Sequence, residues 1–108
     1  MTRGMYVQLA PIRLNPGVDE QTLLDASDAF QRNFVDKQRG ILKRLLLKVK
    51  GGNFADLVFF ASKDDADRVA QLEATSQECL EFFKIMQPPD EGLPDMGVLG
   101  FEHVKTYE

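Results

Sequence analysis

The chain contains one histidine, His103, the only side chain whose ordinary pKa lies near neutrality, so an acid-base step would turn to it first. His103 shares strand parity with Leu99 and Phe101, and a histidine continuing an apolar face is more often a packing residue at a strand end than a base. Tyr6, Gln8 and Arg44 fall on the polar-tolerant parity of the first two strand-like segments. From there a phenol, an amide and a guanidinium can point into a pocket and orient a carbonyl or a phenolate. The alternative has Tyr6 topping the core while Gln8 and Arg44 face water or a partner chain. Phe59, Phe60, Phe82, Phe83 and Phe101 can line a site for a flat aromatic molecule, Phe60 and Phe83 foremost, or simply fill the core.

Other reactive types are sparse. A lone histidine without clustered cysteines or a convincing carboxylate partner rarely holds zinc, so no metal site and no cofactor are expected. Cys79, the only cysteine, sits in an amphipathic stretch with Leu80 and Phe83, where a thiol behaves as a small apolar side chain. It excludes an internal disulfide and fits a reducing compartment, by default the cytoplasm. Lys43, Arg44, Lys48 and Lys50 can attract an anionic ligand, although lysines along a strand also discourage edge pairing. The formal net charge of -4 and pI near 5.0 would repel a phosphate backbone, so nucleic acid is not an expected partner. Met1 to Met5 lacks an apolar stretch of signal-peptide length, and no apolar run approaches the roughly 18 residues a membrane span needs.

The elements that must position these residues can be read in turn. From Met5 to Leu14, MYVQLAPIRL is rich in strand formers, and Pro11 within it calls for an edge position or a bulge. After Asn15-Pro16-Gly17, a helix from about Asp19 puts Leu23, Ala26, Phe30 and Phe34 on one stripe, with Gly40 following it. ILKRLLLKVK predicts a second strand, Gly51-Gly52-Asn53 a hairpin, and FADLVFFAS a third strand apolar on both faces. Ser62 caps a second helix whose stripe, Ala66, Val69, Leu72, Ser76, Cys79 and Phe83, runs as far as Met86 and ends at Pro88-Pro89. QPPDEGLPDMG reads as a proline-rich loop and GVLGFEHVKTYE as a fourth strand.

At 108 residues, residues 1–108 are expected to form a single domain. The order βαββαβ predicts a ferredoxin-like α+β fold, a four-stranded antiparallel sheet with two helices on one face. Large apolar side chains nevertheless occur on both parities: Met5, Val7 and Leu9 oppose Tyr6, Ala10 and Ile12, and Leu57 and Phe59 oppose Val58 and Phe60. Two helices cover one face only. The other would leave an apolar patch on the order of several hundred Å² in water, so a homodimer through sheet faces is expected.

The Pro16-Gly17 break after the first strand, FVDKQRGIL ahead of the second, and FADLVFFASKDDADRV at the third strand and helix start resemble the antibiotic biosynthesis monooxygenase-like proteins of the dimeric α+β barrel superfamily. The resemblance implies a homodimer whose sheets form a barrel, with a cavity between sheet and helices or within the barrel. It also implies a cofactor-independent monooxygenase-like activity on a small aromatic or polyketide-like substrate, with Tyr6 and His103 orienting or deprotonating a phenol and Arg44 stabilising the anion. The alternative is a non-catalytic dimeric module that holds a small hydrophobic ligand. Haem-degrading members carry a cavity Asn, a Trp and a His on the second helix; this chain has no Trp and its histidine lies on the last strand, so haem degradation is not expected.

Overall fold

Asp19 ends the Pro16-Gly17 break and starts the first helix. Its carboxylate accepts from the Thr22 N–H at 2.9 Å and the Thr22 hydroxyl at 2.7 Å, satisfying a free N-terminal donor. In the computed structural model, which describes residues 4–88 and 97–108, the order is β1 (Tyr6–Ile12), α1 (Glu20–Asn33), a 3-10 turn (Val35–Lys37), β2 (Ile41–Lys48), β3 (Phe54–Phe60), α2 (Lys63–Glu73), α3 (Gln77–Phe83) and β4 (Leu99–Glu102). Most of the proline-rich stretch read as a loop lies outside the described residues. The strands pair antiparallel in the order β2-β3-β1-β4. This is the ferredoxin-like α+β arrangement expected from the element order.

Pro11 takes the expected edge position inside an inner strand, since β1 lies between β3 and β4. β4 pairs only with Tyr6 to Leu9, so the strand around Pro11 has left that ladder and its missing N–H costs no bond there. The second helix, read as continuous to Met86, is in two pieces. The backbone breaks at Ala74–Thr75, and Ser76 recaps it by accepting from the Cys79 N–H at 3.4 Å. Glu73, on the stripe of Ala66 and Val69, is half-buried while Leu72 is 42% exposed, and past the break Phe82 is buried at 2% exposure while Phe83 is 40% exposed.

Register assigns the faces. Tyr6, Gln8 and Ile12 of β1 align with Phe60, Val58 and Phe54 of β3, and these in turn with Ile41, Arg44 and Lys48 of β2. This side meets the helices: Ile12, Phe54 and Phe60 form one core cluster with Leu23, Phe30, Phe34, Val69, Cys79 and Phe82. On the other side Val7, Leu9, Leu45, Leu47, Leu57, Phe59, Leu99 and Phe101 alternate with them, and no described helix covers them. Leu47, Leu99 and Phe101 are 38%, 53% and 48% exposed.

Candidate ligand site around Arg44

The strand ILKRLLLK alternates imperfectly because it contains a bulge. Ile41 pairs with Phe60 but Lys43 with Phe59, so Leu42 is an extra residue and is left exposed. Ile41 and Arg44, three positions apart, thereby both face the helices. Without that inserted residue, alternation would turn Arg44 outward.

Arg44 is buried among the helices, its side chain only 5% exposed. Its Nε donates to Asp56 Oδ1 at 3.3 Å and its Nη1 to Gln31 Oε1 at 3.0 Å; Nη1 also reaches the Ser27 carbonyl and Nη2 the Ser27 hydroxyl. The guanidinium carbon lies 5.1 Å from the Phe30 ring centre and 5.5 Å from that of Phe82, rings that stack on each other at 4.5 Å. A planar cation paired with one carboxylate and set against aromatic faces is a chemistry for which arginine, not lysine, is suited.

The acids nearby are perturbed. Burial pushes the Asp56 carboxyl above its ordinary value, and the Arg44 charge and hydrogen bond oppose that shift. Glu73, turned inward at the end of α2, has its pKa pushed up to about 7, first by burial and then by the Asp56 charge. Burial also drives the Cys79 thiol up to about 11, so it stays protonated and is not a nucleophile at neutral pH. Glu73 is thus a half-buried group that can gain or lose a proton near pH 7. A groove of about 170 Å³ beside β2, lined in part by Gln31, Val35, Gln38, Ile41, Lys43 and Arg44, reaches the cluster from the sheet edge.

The residues singled out from the sequence separate into two groups. Tyr6, Gln8, Arg44 and Phe60 lie on the helix-facing side, with Gln8 and Arg44 flanking Val58 in one row. Phe60 is buried in the core, and Phe83 touches Phe30 and Phe82 from the half-exposed rim of α3. The Tyr6 hydroxyl lies so close over Gly100 that a Cβ there would overlap it. His103 lies just past β4 and continues the parity of Leu99 and Phe101, the opposite side of the sheet from Tyr6. Its N–H donates to the Met5 carbonyl at 3.0 Å and its Nε2 is 2.7 Å from the Thr106 hydroxyl. Of the strand cations, Lys48 pairs with Glu20 at the surface and Lys43 lies over Phe59.

Asp56, Glu73, Ser27 and Gln31 were not legible as site residues, although one acid inside FADLVFF is a recognisable signal for a buried partner. Among the described residues there is no group of three His, Cys, Asp or Glu side chains that could hold a metal ion, and no helix is long and apolar enough to cross a membrane.

No family model and no curated protein matches the sequence. Solved structures do. An antibiotic biosynthesis monooxygenase-like protein of Bordetella bronchiseptica superposes with a TM-score of 0.72 at 18% identity, over 95% of this chain and 100% of that one. One from Caulobacter crescentus gives 0.67 at 15% identity, covering 96% and 93%. A haem-degrading protein of Mycobacterium tuberculosis gives 0.60 at 19% identity, covering 98% of each chain. The chain therefore carries the ferredoxin-like fold of the antibiotic biosynthesis monooxygenase-like proteins over nearly its whole length, and at these identities the likeness concerns the fold.

Proposed function

We propose that the chain is a cytoplasmic, single-domain homodimer that performs cofactor-independent oxygenation of a small electron-rich aromatic molecule in the layer between sheet and helices. The observation that carries this reading is the buried Arg44–Asp56 pair, its guanidinium against Phe30 and Phe82, with the half-buried Glu73 near enough to Asp56 to feel its charge. Such a substrate reduces dioxygen itself, one oxygen atom entering the product and the other leaving as water. The protein's tasks are to orient the ring, take up a proton and stabilise the anion formed. Aromatic faces serve the first, Glu73 the second and Arg44 the third. Tyr6 and Gln8, on the same side, serve as orienting groups. His103 contributes only from the outer face, where a second copy would enclose it.

The dimer is supported by the uncovered row Leu47, Leu57, Phe59, Leu99 and Phe101. A two-fold sheet-to-sheet contact uses the same surface twice and needs no other gene product.

One observation favours binding without turnover: Asp56, Gln31 and Ser27 already engage the guanidinium of Arg44, so a ligand anion must displace one of them. Oxygen uptake over a panel of phenols, quinols and anthrones, run beside thermal-shift measurements on the same compounds, separates the two readings. Uptake lost in Glu73→Gln and Arg44→Gln supports the oxygenase. Stabilisation without uptake supports the binding module, and neither response to any compound refutes a site for aromatic molecules.

A further inference from the structure

A second concavity, sharing Gln38 with the groove beside β2, lies between the turn leading into β2 and the first turns of α2. It measures about 480 Å³ and is lined by Lys37, Gln38, Arg39, Asp65 and Arg68. Three cations and one anion meet there in a chain whose net charge is -4, so the surface charge at this point runs against the molecule as a whole.

The walls are built, not incidental. Arg68 Nη2 donates to the Arg39 carbonyl and to Asp65 Oδ1, both at 2.6 Å, tying the turn to the helix. Asp65 also accepts from the Ser62 hydroxyl at 2.9 Å. Gly40 makes the close approach feasible: at φ +100° it lies so near Asp65 that a Cβ would come 2.5 Å from the carboxyl carbon. The single acid of the concavity is consequently occupied by a guanidinium and a hydroxyl. The Lys37 and Arg39 side chains are exposed, Lys37 near enough to Glu78 and Arg39 near enough to Asp65 to lower those carboxyls, and Gln38 turns its amide to the Phe34 carbonyl at 3.2 Å.

We propose that this concavity is a binding site for a small dianion, an oxyanion presented by a phosphate group or a dicarboxylate, held by Lys37 and Arg39 with Arg68 as the fixed wall. A guanidinium fork and an ammonium on one concavity suit such oxyanions, and three cations against one lining acid leave an excess of positive charge to meet theirs. The site shares Gln38 with the groove beside β2 but uses none of the aromatic side chains, and it stands whether or not that layer is catalytic.

The test is calorimetric titration of the full chain with inorganic phosphate and, separately, with succinate, at constant ionic strength held with sodium chloride. Expected is saturable one-site binding of at least one probe. The double variant Lys37→Gln/Arg39→Gln should weaken it tenfold or more, while Lys105→Gln, a cation elsewhere, changes it less than twofold. Both substituted side chains are exposed, so the variant keeps its fold, which circular dichroism checks. Binding of phosphate alone or of succinate alone identifies the source of the oxyanion. No saturable binding of either, or equal binding by the double variant, overturns the proposal.

Discussion

The two faces of the sheet invert the usual rule of inside and outside. The side covered by helices buries a guanidinium, one carboxylate at 9% side-chain exposure and a second half-buried acid, whereas the open side presents leucine and phenylalanine to solvent. A protein optimised only for stability as a monomer would place these groups the other way round. The difference teaches that the covered face is specialised beyond packing and that the open face is unfinished until something closes it. Each can be broken separately.

The largest effect belongs to the covered face. Asp56→Ala leaves Arg44 without its carboxylate in an interior from which water is largely excluded, and removing one member of a buried pair typically costs about 3–5 kcal/mol. Urea or thermal unfolding should show a loss of that order. The paired change Arg44→Met/Asp56→Ala should recover much of it, since an apolar replacement needs no counter-ion. Equal destabilisation by the single and double variants would mean that the pair stabilises the fold by more than mutual neutralisation.

On the open face, Phe101→Glu should act on assembly and leave the subunit folded. Its side chain is 48% exposed in the lone chain, so a charge there is tolerated by a monomer. In a two-fold dimer each copy would bury that charge opposite apolar neighbours. Sedimentation should then show a dimer for the parent chain and a monomer for the variant, with a dissociation constant raised tenfold or more. A parent chain that sediments as a monomer at high concentration would leave the contrast between the faces without its proposed explanation.

Period-two and helical patterning made the strands, the first helix and the two-sided apolar character of the sheet legible, because each rests on spacing within one segment. What escaped depends on phase. One inserted residue, Leu42, decides that Arg44 points inward, and nothing in ILKRLLLK marks the bulge. Likewise the break at Ala74–Thr75 resets the inward stripe so that Phe82 and not Phe83 is buried, which a continuous helix reading places one residue off. Arg44 was singled out from its strand position, but Asp56 and Glu73 were not, because a carboxylate becomes chemically distinctive through what lies across the core from it. Phe82→Ala should accordingly cost about 3–5 kcal/mol and Phe83→Ala much less, measured by the same unfolding assay.

The smallest effect sharpens the covered face by pH. Glu73 has a folded-state pKa of about 7 against an ordinary value of 4.5, so the folded chain holds this proton more tightly than the unfolded one. Its favourable contribution is therefore fully present below about pH 4.5 and is lost as the pH rises through 7, a change on the order of 2–3 kcal/mol. Glu73→Gln removes the charge without changing the shape, so the variant should be more stable than the parent at pH 8 and nearly equal to it at pH 4.5. Denaturant midpoints across that range give the readout. Parallel pH profiles for the two proteins would show that Glu73 is solvated and ionised like any surface acid, and would remove it as the proton acceptor near Asp56.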